Sequence, residues 1–181
     1  MQGNLRDQLL RPELVKRIVI YSILTLLLGC AQCSFFPMLS VCPATPDLIM
    51  GMLLAVCLID SEKSAAPLAI GAGFFLDAIG GGAIAYLPVF YLIYVLFINF
   101  FSHKMLAGFA SYAILLLPTL VFRAASTVVL IAITDGAMPT MARAFEVVLP
   151  ELLCTALFCL PLYAIVKLCT APMQTHGKFT F

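Results

Sequence analysis

Long runs without a charged side chain, separated by short polar breaks, organise this chain. The first run extends from about Ile18 to Phe36, after Lys16-Arg17 and before Pro37. A polar loop, Ser40 to Pro46, leads to a short run from Leu48 to Ile59 that ends at Asp60-Ser61-Glu62-Lys63-Ser64. A third run, Ala65 to Ile79, stops at Gly80-Gly81-Gly82. Three more follow, Ile84–Phe101, Leu106–Ile133 and Ala144–Leu168, with breaks at Ser102-His103-Lys104 and from Asp135 to Arg143. A membrane-spanning helix uses about 20 predominantly apolar residues. The pattern therefore predicts an all-α membrane protein, a bundle of six transmembrane helices over residues 18–169. The second and third runs are short, near 15 residues or roughly 22 Å of helix. Residues 1–17 form a basic N-terminal segment and 170–181 a polar tail.

Composition agrees with the pattern and narrows the function. Apolar residues make up 63% of the chain and charged ones 10%, against about 45–50% and about 25% in soluble domains. The mean hydropathy is +1.10. Little chain is left for a water-soluble catalytic or nucleic-acid-binding domain, and a net charge of +1 argues against binding a polyanion. Basic residues set the orientation, because loops rich in Lys and Arg stay in the cytoplasm. Arg6, Arg11, Lys16, Arg17, Lys63, Lys104, Lys167 and Lys178 all fall on one side of a six-span arrangement. Both termini are then cytoplasmic, with short outer loops. Leu27-Leu28-Gly29-Cys30 also resembles a lipoprotein cleavage box, but an ordinary first span with a Gly and a Cys near its outer end is the preferred reading, since cleavage would leave five spans and place the new N-terminus outside.

Cysteines and histidines give little chemistry. Cys30 and Cys33 form a C-x-x-C, which reads as a redox pair or half of a metal site, but no second pair exists and His103 and His176 fall on the opposite face. Cysteine as a small membrane-compatible hydrophobe is the simpler reading, and a Cys33–Cys42 disulfide stays open. No catalytic residue, metal ligand or cofactor site is expected. An intramembrane protease needs paired catalytic groups, whereas Asp77 is the lone carboxylate of its helix.

Ionisable groups inside the spans are few and expensive, so each needs a partner or a wet cavity. Asp47, Asp77, Arg123, Glu146 and Glu151 share one depth range toward the outer leaflet. Arg123 is expected to pair with Asp77, Glu151 or Glu146, forming a polar seam. Asp47 has a local explanation: Thr45 caps a helix, Pro46 takes its first position and Asp47 lies in the first turn, near the positive end of the dipole. Pro88, Pro118 and Pro161 fall within spans and can kink them. In the third run Ala69, Gly73, Asp77 and Gly81 recur every four residues, a small-residue face that lets helices approach closely in lipid.

The order Pro46-Asp47, basic turn, then Gly73-x-x-x-Asp77-x-x-x-Gly81 resembles the MreD family, small six-span proteins of the bacterial rod-shape machinery. The resemblance covers most of the chain. Ala69 stands where the family has a first glycine, and Ala85 where it often has another. The resemblance implies a non-enzymatic scaffold of the cell-elongation complex that supports lateral peptidoglycan synthesis and cell shape. Its implied partners are an MreC-like single-span protein and, through it, an MreB-like cytoskeleton, a RodA-like glycosyltransferase and a class B penicillin-binding protein. The Gly73, Asp77 and Gly81 face is the expected packing or partner surface, and membrane lipid the default contact of the basic N-terminal segment. The implied fold is similar to the substrate-binding subunits of energy-coupling-factor vitamin transporters. A transport subunit is accordingly the alternative, and it would need an outward cavity lined by aromatic and hydrogen-bonding groups.

Overall fold

The computed structural model describes residues 12–36, 45–60, 62–80, 86–102, 108–135 and 140–174. Within them the chain is helical, without a strand. Helix α1, Pro12–Cys30, begins on a proline whose missing N–H costs nothing at a helix start, and it continues as a π-helical turn, Ala31–Phe35. Next come α2, Leu48–Ile59, and α3, Glu62–Gly80. Helix α4, Leu87–Ser102, carries Pro88 in its first turn, where proline is tolerated. Helix α5, Phe109–Asp135, runs through Pro118, and α6, Met141–Cys159, through Pro150. The chain turns at Leu160-Pro161 into α7, Leu162–Gln174.

Several boundaries differ from the expectation. Helix α1 starts before Ile18, because Pro12 to Arg17 extend it by over a turn. Helix α3 takes in the polar residues Glu62 to Ser64, so the basic turn becomes a helix start. The sixth run divides at Pro161, although Leu160 keeps a 3.3 Å bond from its N–H to the Ala156 carbonyl. That division is a bend in an otherwise continuous apolar segment.

Helix α2 is the centre of the molecule. Its sequence, LIMGMLLAVCLI, is apolar all round, and ten of its 12 residues are buried, as such a helix requires. Every other helix packs against it. Close approach is built from small residues. A Cβ on Gly51 would run into Cys159 Sγ, and one on Gly73 into the backbone of Leu87 and Pro88. Ala69 and Ala72 on the same side of α3 are buried. At Gly73 the small-residue stripe of α3 is therefore taken up by the chain's own α4, in the most extensive helix pair among the described residues. Gly81 and Ala85 lie outside the described residues.

The outer surface is apolar. Val89, Ile93, Leu96 and Phe100 of α4 and Leu149, Leu153 and Leu157 of α6 are exposed at helical spacing, while Asp47, Thr119, Glu151 and Thr155 are buried. Three segments are long and apolar enough to cross a membrane, Val15–Phe35, Phe109–Thr134 and Phe145–Thr170; Leu48–Ile59, Ser64–Gly80 and Leu87–Ser102 are shorter. These features fit a membrane protein.

Candidate functional site

The start of α2 gathers polar groups from five elements. Asp47 is the N-cap, its Oδ1 accepting the Met50 N–H at 3.2 Å. The expected start at Thr45-Pro46 thus falls two residues early, since Asp47 itself takes the capping position. The Asp47 N–H donates to Thr155 Oγ1 of α6 at 3.1 Å, and the Leu48 N–H to Gln32 Oε1 in the π-helical turn, also at 3.1 Å. Donors that a helix start leaves without partners are in this way satisfied by side chains of neighbouring helices.

The Asp47 carboxylate is fully buried, at 0% exposure, and it is paired. Tyr91 of α4 donates its hydroxyl at 3.1 Å to Oδ1, and Arg123 of α5 reaches Oδ2 through Nη1 at 3.0 Å. The same guanidinium grips Glu151 of α6: Nη2 lies 2.6 Å and Nε 2.7 Å from Oε1. The other Glu151 oxygen accepts from Thr127 Oγ1 at 3.1 Å. The Arg123 guanidinium also lies over the Phe90 ring, 5.7 Å from its centroid, in cation–π range. A planar fork with several fixed donors is the side chain suited to hold two carboxylates at once. One residue of α5 thereby joins α2 and α6, and Tyr91 adds α4.

Beside this network lies a half-open cavity of about 400 Å³, with Arg123 and Glu151 on its floor and Tyr86, Phe90, Ser126, Thr127 and Glu146 on its walls. At the opposite end of α2, Arg17 Nη1 meets Asp60 Oδ1 at 2.9 Å. Helix α2 is held by a carboxylate at each end. The N-terminal one is favoured by the helix dipole; the C-terminal one is not and needs its arginine.

The expected seam is only partly assembled as anticipated. Of the three acids left open for Arg123, Glu151 is the partner. Asp47, which had a sufficient local explanation, is the second. Asp77 stands apart: its Oδ2 accepts the Leu87 N–H at 3.2 Å and so caps the start of α4. Its helix brings it to the chain entering α4 and not to α5. Glu146 is exposed and lines the cavity. Cys30 and Cys33 are separate thiols, and Cys42 lies outside the described residues. Among the described residues no cluster of three or more His, Cys, Asp or Glu side chains could hold a metal ion.

Tyr91, Gln32, Thr127 and Thr155 were not singled out from the sequence. Their signal is a hydroxyl or amide inside an apolar run, a group that must find a partner once buried. Tyr94 and Tyr112 obey the same rule: Tyr94 donates to the Met50 carbonyl at 3.2 Å, and Tyr112 to the carbonyls of Gly51 at 3.2 Å and Cys159 at 2.7 Å. The arrangement fixes charge and joins helices, with the oxygens of Asp47 and Glu151 already engaged. The chain matches no family model, and comparison with curated proteins and with solved structures likewise finds no match.

Proposed function

We propose that this chain is a non-enzymatic membrane scaffold of the MreD type, which crosses the bacterial plasma membrane six times with both termini in the cytoplasm. The observation that carries this reading is how the residues of the resemblance are used. Asp47 joins α2 to α4 and α5, Gly73 admits Pro88, and Asp77 caps α4. Each has a structural task, as expected of a rigid helical body that works by presenting surfaces. The antiparallel α1 and α2 that this topology requires are supported by the Arg17–Asp60 pair, which levels the start of α1 with the end of α2. Helix α2 is ~18 Å long by its residue count, shorter than the hydrocarbon core of ~30 Å, so it sits as a short buried span screened by its neighbours.

Because Gly73 is spent on α4, a single-span MreC-like partner would be received on the lipid-facing sides. Affinity purification of the tagged chain from its native membranes, with identification of what accompanies it, tests this reading. An MreC-like protein in constant ratio, with RodA-like and penicillin-binding components behind it, is expected. Co-purification of a paired ATPase module without them would overturn it. That second reading, a small-molecule transport subunit with the fold of energy-coupling-factor substrate-binding proteins, is favoured by one feature, the cavity beside Arg123.

A further inference from the structure

The cavity at the foot of α2 has an uneven charge. Its floor is Arg123 and Glu151, and the fully buried Asp47 on the same guanidinium completes a cluster of two carboxylates against one guanidinium, joined by contacts of 3.0 Å or less. The guanidinium is consumed: Nη1 faces Asp47, while Nη2 and Nε face Glu151. By formal charge the three groups together sum to one net negative charge. Glu146 on the wall adds a second negative charge, and its side chain is exposed and available. An unbalanced carboxylate at the edge of a low-dielectric region is costly and draws in a cation. The remaining wall is not built for a hydrated metal ion. Phe90 and Tyr86 supply aromatic surface, and Ser126 and Thr127 already donate their hydroxyls to the Arg123 carbonyl and to Glu151.

We infer that this cavity binds a small organic monocation, an amine in its ammonium form, with the ammonium near Glu146 and Glu151 and the apolar part against Phe90 and Tyr86. A volume of about 400 Å³ lies in the range of sites that enclose small molecules. Aromatic faces attract ammonium groups as well as covering hydrocarbon. The inference does not rest on the scaffold reading, which concerns the outer helix faces; either can fail alone.

Phenethylamine is a suitable probe, with 2-phenylethanol as its uncharged counterpart of matching shape. Calorimetric titration of the full chain in lipid nanodiscs at neutral pH should give saturable binding of the amine, and binding of the alcohol weaker by about tenfold or more. Glu146→Gln removes one negative charge at an exposed position, so the fold is kept, as an unchanged melting temperature would verify; amine affinity should fall by about fivefold or more. Tyr86→Ala should weaken the amine and leave the residual preference for charge in place. Equal binding of amine and alcohol, no saturable binding of the amine, or full affinity in Glu146→Gln would each overturn the proposal.

Discussion

Tyr112 illustrates how single polar groups are spent in this protein. Its hydroxyl donates to the carbonyls of Gly51 and Cys159, the second belonging to the last residue of α6, where the helix leaves carbonyls without partners. Tyr112→Phe keeps the ring and removes both bonds, so it should lower unfolding stability by about 1–2 kcal/mol, measured by denaturation in mild detergent. Glu146, exposed at the cavity rim, gives the contrast: Glu146→Gln should stay within about 0.5 kcal/mol of the parent. At this scale the sequence was informative about need and silent about pairing. Arg123 in an apolar run had to find an acid. Whether that acid was Asp77, Glu146 or Glu151 depended on which helices cross beside α5. Asp47 was passed over as a partner because a capping aspartate already looks satisfied; one oxygen caps Met50 and the other meets Arg123.

Helix α3 makes a sharper test at the scale of elements. Gly71 and Gly73 are two residues apart in one helix, and composition alone treats them alike. A Cβ at Gly71 meets nothing within 4 Å, whereas one at Gly73 would enter the backbone of α4. Gly71→Ala should be neutral or raise stability by about 0.5–1 kcal/mol, through the lower conformational freedom of alanine. Gly73→Ala should destabilise the protein by about 1–3 kcal/mol, the usual cost of overpacking. Parallel melting curves of the two variants check both signs. The four-residue recurrence of Ala69, Gly73 and Asp77 made a close helix contact legible in the sequence. It did not reveal that the contact is with the chain's own α4, since a stripe of small residues has no address. The helix positions were legible because each uncharged run became helix, but the limits were not, since α1 and α3 take in charged residues before their runs and the sixth run divides at Pro161. The π-helical turn at Ala31–Phe35, whose Gln32 accepts the Leu48 N–H, was not.

The whole molecule is organised around a short buried helix held at both ends. Arg17 takes Asp60 at one end, and Arg123 takes Asp47 with Glu151 at the other. The apolar majority of the chain places it in a bilayer, and the hydroxyls and charges determine how its helices assemble there. Cysteine labelling from either side of sealed membranes follows from the proposed topology: single reporter cysteines near residue 5 and residue 178 should react from the cytoplasmic side, and one near residue 138 from the outer side. Labelling of the two ends from opposite sides would mean an odd number of crossings. The central claim is that Arg123 and Asp47 act as one unit joining α2 to α5. It is tested most directly by a double-mutant cycle in lipid nanodiscs, with Asp47→Asn, Arg123→Gln and the two combined, each read by global unfolding. Arg123→Gln leaves two buried carboxylates without their cation, at about 3–5 kcal/mol, whereas Asp47→Asn leaves Arg123 paired with Glu151 and costs less; the double variant should lose clearly less than the sum of the singles, with a coupling of about 1 kcal/mol or more. Losses that simply add would contradict the account.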